Sequence, residues 1–266
     1  MQDHSEPVLR GHSTRTIENS AAYLLNSGAI KPDSRILDIG CGPGSITADF
    51  AASAPQGHIT GIDSEPFVLD TARGIASQRG LTNIEFKVGD IRALDFPNAS
   101  FDIVHVHQVL GHVGDPVGAL REMRRVTRPG GIVAAREGDL GTWVHYPDPE
   151  GLIEKWIDLY IRLAGLKGGE PFSGRHLLSW CLKAGFKRDQ IISTASVWCY
   201  NTPEERTWSS GMFADRILTT SFKKHALESG LATEEDLIKY SQALRQWGEQ
   251  EDGWTAITSG EVICRV

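Results

Sequence analysis

A doubly wound α/β fold, with a mostly parallel sheet of seven strands and a helical insertion, is predicted by three features of this sequence. Five strand-like apolar runs alternate with helical stretches through the first half, a glycine-rich turn joins the first run to its helix, and residues 201–253 read as helical between the last two strand-like runs. Such alternation specifies parallel strands joined by right-handed crossovers. Ligands in such sheets bind beyond the carboxyl ends of the strands.

Taken in order, residues 14–28 carry Ile17, Ala21, Leu24 and Leu25 at helical spacing, and Lys31-Pro32-Asp33 ends that helix. Ile36 to Ile39 reads as a buried strand, Gly40-Cys41-Gly42-Pro43-Gly44 as its turn, and 45–54 as a helix. Ile59 to Ile62 is the second strand, ending at Asp63 and Ser64 before a helix over 65–79. Ile84 to Val88 is the third and ends at Gly89-Asp90-Ile91. Phe101 to Val106 is the fourth, and Asp115-Pro116 opens a helix over 115–127. Arg128-Pro129-Gly130-Gly131 turns into the fifth strand, Ile132 to Ala135. Beyond Glu137 the pattern predicts helices over 149–166 and 173–184, a strand over 191–200, helix starts at Thr202-Pro203-Glu204-Glu205 and Thr233-Glu234-Glu235-Asp236, and a last strand over 256–266. The expected organisation is one domain: an N-terminal helical cap (1–30), a ligand-binding core (31–137) and a substrate-side half (138–266) that contains the insertion.

The glycine turn points to the ligand. Three glycines in five positions let backbone approach a bound molecule where a side chain would fill the space. Asp63, at the end of the next strand, stands where a nucleoside ribose needs a carboxylate to accept its hydroxyl protons. A dinucleotide fingerprint would place Gly or Ala at position 45, which is Ser45, and Asp49 is the only charge in the first helical turns, so a cofactor without phosphates suits the turn better. Asp38, Asp63, Asp90 and His107 all fall at or just beyond strand ends and should converge on one crevice.

Over residues 36–44, Ile-Leu-Asp-Ile-Gly-Cys-Gly-Pro-Gly, the chain resembles the class I S-adenosylmethionine (SAM) methyltransferases, and the order and spacing of the later pieces are similar to the UbiE-like branch. The resemblance is strongest over residues 12–137. His12, Arg15, Asn19-Ser20-Ala21-Ala22-Tyr23 and the terminal Gly260-Glu261-Val262-Ile263-Cys264-Arg265 look like a set of UbiE-like proteins of bacteria and fungi. It implies a Rossmann-like sheet, SAM as cofactor and S-adenosylhomocysteine (SAH) as product. It further implies Asp63 with Ser64 at the ribose, Gly40, Cys41 and Gly42 at the methionyl part, and Gly89, Asp90 and Ile91 at the adenine edge. Asp38 is expected to orient the turn or the cofactor's amino group, and His107 to shape the cofactor pocket. Capping of loop amides by Asp38 and of a turn by Asp90 are the structural alternatives.

Methyl transfer from a sulfonium needs alignment of the acceptor, exclusion of water and, for a weakly acidic nucleophile, a base; no metal is required. His107 and His112 are the candidate catalytic bases, because histidine titrates near neutral pH. Glu137, Asp139 and His145 are reserves. The chain has seven tryptophans, many for its length, and Trp143, Trp156, Trp198, Trp208, Trp247 and Trp254 all lie in the later half, where they could wall a pocket for a flat or apolar small molecule or pack the insertion. No Asn/Asp-Pro-Pro-Tyr/Phe sequence follows the fourth strand, which counts against methylation of nucleobase or glutamine amino groups.

The formal net charge of −7 opposes nonspecific attraction to phosphate backbones, so nucleic acid is not an expected partner; Arg121, Arg124, Arg125 and Arg128 should form a solvated helix face. Cys41, Cys181, Cys199 and Cys264 are scattered without a Cys-x-x-Cys pair, against a zinc site or a disulfide framework. No run of eighteen apolar residues and no secretory signal is evident, so a cytoplasmic protein without a membrane span is expected. The competing functions are a SAM-binding protein without methyl transfer and a nicotinamide-dependent oxidoreductase.

Overall fold

The structure is a computed structural model that describes Gly11 and residues 14–266; His12 lies outside the described residues. These residues divide into a larger unit (14–137, 173–196 and 259–266) and a smaller one (Gly11, 138–172 and 197–258).

In the larger unit, the β-branched runs become β1 (Arg35–Ile39), β2 (His58–Asp63), β3 (Ile84–Val88), β4 (Phe101–His107) and β5 (Thr127–Gly138). They pair in parallel in the order β3-β2-β1-β4-β5. The final strand, β8 (Trp254–Arg265), follows β5 in that order, and β7 (Ile191–Tyr200) pairs with β8. The expected sheet is therefore present. The three-residue β6 (Val144–Tyr146), antiparallel to Trp254–Ala256 of β8 in the smaller unit, makes an eighth strand.

Helices cover both faces of the sheet because alternate strand residues are apolar on each side. Leu37, Ile39, Val104, Val106, Val133 and Ala135 pack with α5 (Pro116–Val126) and α7 (Ser173–Lys183). Ile36, Ile59, Ile103 and Ala134 pack with α1 (Ile17–Ser20), α2 (Ala22–Asn26) and α3 (Ser45–Ser53). α4 (Pro66–Gln78) connects β2 to β3, with Pro66 in its first turn, where a missing N–H costs nothing.

Three local expectations are corrected. The amino-terminal helix is two pieces: Thr16 and Asn19 cap each other reciprocally, and Ala21 leaves the helical region at φ −136°. β5 begins at Thr127 instead of Ile132, because Gly130, at φ +78°, lets the turn join the ladder, where Gly130 and Gly131 exchange backbone hydrogen bonds with Val266. The arginines of α5 are not merely solvated. Arg121 donates to the Lys183 carbonyl, Arg124 to Gly185, and Arg125 to Leu94 and Phe96, while Arg128 pairs with Asp102.

The smaller unit contains α6 (Leu152–Leu166), α8 (Pro203–Thr219), α9 (Ser221–Glu228) and α10 (Glu234–Gly248). Reciprocal caps at Thr202/Glu205 and Thr233/Asp236 start α8 and α10 where the sequence predicts them. α6 starts at Leu152 because Asp148 accepts the Leu152 and Glu154 amides after Gly151 turns at φ +63°.

Candidate cofactor and active site

Register brings the predicted residues together in the larger unit. Ile39 lies beside Ile62 and Val106, and Asp63 beside Val88, so the turn at Gly40, Asp63, the Gly89-Asp90-Ile91 segment and His107 share the carboxyl edge of four adjacent strands.

The turn is built from left-handed glycines: φ is +66° at Gly40, +53° at Gly42 and +81° at Gly44. A Cβ at Gly40 would collide with the Val109 side chain, and one at Gly44 would lie 2.7 Å from Ala72 Cβ. At Gly42 it would meet nothing within 4 Å, so open space borders the backbone there. That is a cradle a ligand can occupy. Asp63 sits below it, buried, accepting the Gly42 amide on Oδ2 (2.9 Å) and the Glu65 amide on Oδ1 (3.1 Å). Each oxygen keeps a second lone pair for a hydroxyl donor. Cys41 donates its amide to the Ile62 carbonyl; burial, then the charges of Asp38 and Asp63, push its thiol well up, so it remains protonated. The residues fit a phosphate-free adenosyl ligand: glycine backbone for close approach, and a buried carboxylate for ribose hydroxyls.

Ser64 is exposed beside Asp63, and the Gly89 amide is held by the Asp63 carbonyl (3.0 Å). Ile91 is buried. Asp90 carries the Arg92 guanidinium on both oxygens, at 2.6 to 3.0 Å, and this pairing holds its carboxyl below the usual range.

Asp38 is engaged within the protein. Thr47 Oγ1, in the first turns of α3, donates to its Oδ2 (2.6 Å), and His105 Nδ1 lies 2.8 Å from its Oδ1. β4 continues through His107, which lies opposite Arg136 on β5 and points to the same face as His105. His107 is buried, whereas His112 is exposed at the end of a single 3₁₀ turn.

Three arrangements went unread in the sequence. Glu137, a reserve base, holds the segment after β4: its Oε1 accepts the Val109 and Leu110 amides (2.8 Å each), and its Oε2 accepts the Gly111 amide (3.3 Å) and the Ser173 hydroxyl (3.4 Å). Burial raises its pKa to about 7, against the lowering effect of those donors. Arg136 and Glu261 form a buried pair (3.4 Å), with Ser196 accepting from Arg136 and Thr194 donating to Glu261. The Tyr23 hydroxyl is buried without a hydrogen-bond partner among the described residues; burial and then the Glu261 charge push its pKa well up, so it remains a phenol. The sole sequence signal for the last two was the likeness of Tyr23 and Glu261 to UbiE-like segments.

In the smaller unit, His145 Nε2 lies 3.1 Å from Asp148 Oδ2, and Asp139 accepts the Gly141 amide on Oδ1 (3.2 Å). Trp143, Trp156 and Trp247 belong to that unit's own core. No helix among the described residues is long and apolar enough to cross a membrane.

Comparison with known proteins identifies the family. The family described as "Methyltransferase domain" matches residues 30–164. An uncharacterized methyltransferase of Schizosaccharomyces pombe is 36% identical, over 96% of this chain and 92% of its own. The ubiquinone/menaquinone biosynthesis C-methyltransferase UbiE of Bdellovibrio bacteriovorus is 40% identical, over 43% of this chain and 48% of its own. Among solved structures, a methyltransferase fold from Bacillus halodurans superposes with a TM-score of 0.59 at 18% identity, covering 92% of this chain and 97% of that one.

Proposed function

The chain belongs to the class I SAM-dependent methyltransferases, and from that premise we propose that it methylates a small aromatic or apolar metabolite, with His107 or His112 taking the acceptor's proton. SAM is the methyl donor, and its sulfonium supplies an activated methyl group whose transfer leaves SAH. The observation that carries the reading is the cradle: open space at Gly42 above a buried Asp63 whose oxygens retain lone pairs.

In this reading Asp63 holds the ribose hydroxyls, with Ser64 beside it. Gly40, Cys41 and Gly42 admit the methionyl part. Gly89, Asp90 and Ile91 take the adenine edge. His107 ends β4 at the edge of this site, and the neutral imidazole removes a proton from a phenol or enol as the new bond forms. A flat or apolar acceptor is supported by the partial likeness to a ubiquinone/menaquinone biosynthesis C-methyltransferase. The tryptophans support it less than their number implies, because Trp143, Trp156 and Trp247 are committed to packing.

The test is a product screen by mass with SAM and a panel of phenols, hydroxyquinones and enols. Conversion of SAM to SAH with a methylated product from one of these classes is expected. His107→Ala or His112→Ala should lower turnover by about a hundredfold in at least one case, with SAH affinity kept. Tight SAH binding with no transfer to any acceptor would favour a binding protein instead, and full activity in both variants would leave no histidine base in that segment.

A further inference from the structure

His105 plays no part in the reading above, yet it is one of two wholly buried partners of Asp38. Its ring is sealed from solvent, Asp38 is 3% exposed and Thr47 is fully buried. A carboxylate only accepts, so the 2.8 Å contact requires the His105 proton on Nδ1. Nε2 is then left buried with no hydrogen-bond partner among the described residues. Leaving a polar nitrogen unmatched in the interior is costly, and an aliphatic residue would avoid it. Ile36, Ile103 and Ala134, on the same face of the sheet, are aliphatic. Phe50 packs edge-on against the imidazole, with centroids 5.0 Å apart, and fixes the plane of the ring.

The geometry assigns His105 a positioning role: it locks Asp38 in the rotamer in which one oxygen holds Thr47, and hence the start of α3, next to the glycine turn. Asp38 is the residue before Ile39 and Gly40, and it acts electrostatically on Cys41 in the middle of that turn. An anion fixed there suits the ammonium of the cofactor's aminoacyl group, and a swinging carboxylate would lose that interaction. This inference rests on the SAM reading.

Two substitutions separate orientation from packing. His105→Asn places an amide donor close to the Nδ1 position, and His105→Gln places it near Nε2, out of reach of Asp38 Oδ1; both are polar and comparable in folding cost. The full chain and both variants are titrated calorimetrically with SAH and with 5′-methylthioadenosine, which keeps the nucleoside and lacks the aminoacyl group. The expected result is that H105N binds both ligands within about threefold of the parent, while H105Q loses about tenfold for SAH and changes by less than about threefold for methylthioadenosine. Parental SAH affinity in H105Q, equal losses for both ligands, or an H105N that behaves as H105Q would each overturn the role. A parent chain that takes up no SAH would instead overturn the cofactor reading itself.

Discussion

The two units of this chain use their polar groups differently. In the larger unit, backbone amides and buried side chains are spent on fixing a turn and a strand edge: Gly42 and Glu65 on Asp63, Val109 to Gly111 on Glu137, Thr47 and His105 on Asp38. In the smaller unit, the aromatic side chains are spent on one another. Trp156 meets Trp143 and Phe213 at ring distances of 5.1 and 5.2 Å, and Tyr160 stacks on Phe222. A function that resides in backbone geometry leaves local traces in sequence, whereas aromatic packing leaves only a composition.

The contrast is broken most forcefully at Trp156. Truncation to alanine in a core of this kind should cost about 3–5 kcal/mol in urea unfolding. Trp156→Phe should cost far less, because the indole N–H has no hydrogen-bond partner among the described residues and the ring contacts survive. A nearly neutral W156A would mean that the tryptophans line open space instead.

Glu137 sharpens the other side of the comparison. The folded chain binds its proton more tightly than the unfolded chain does, so its stabilising contribution is full below the ordinary value of 4.5 and is lost as pH rises through about 7. Between those limits the parent should lose about 3 kcal/mol relative to Glu137→Gln, whose side chain does not titrate. Parallel stability profiles of the two proteins from pH 4.5 to 8 would remove Glu137 as a titrating group.

Asp63→Ala should give the smallest of these effects. SAH binding should weaken by at least about tenfold, since a charge-assisted hydrogen bond is worth roughly 1.5–3 kcal/mol. Unchanged affinity in a folded variant would take Asp63 out of the site.

The parts of the fold legible in the sequence were those with local signatures. Gly40, Gly42 and Gly44 needed positive φ, Pro66, Pro116 and Pro203 opened helices, and Thr202 with Glu205 announced a cap. The convergence of Asp63, Asp90 and His107 followed from strand ends alone. What stayed hidden depended on register between distant segments. Asp38 and His105 are 67 residues apart, and only the alignment of β1 with β4 makes them neighbours. Glu137 was readable as a carboxylate after a strand, but not as the acceptor for three consecutive amides, because the path of Val109 to Gly111 is set by that contact itself. Seven tryptophans in 266 residues suggested a pocket wall, and composition could not tell a wall from a core.

The central claim is that the glycine turn and Asp63 accept a phosphate-free adenosyl cofactor. Thermal unfolding of the full chain with SAH, NAD and NADP tests it most directly, since a ligand at a hundred times its dissociation constant adds about 2.7 kcal/mol to stability. A raised midpoint with SAH and an unchanged one with either dinucleotide is the predicted result; a rise with NAD or NADP and none with SAH would contradict it.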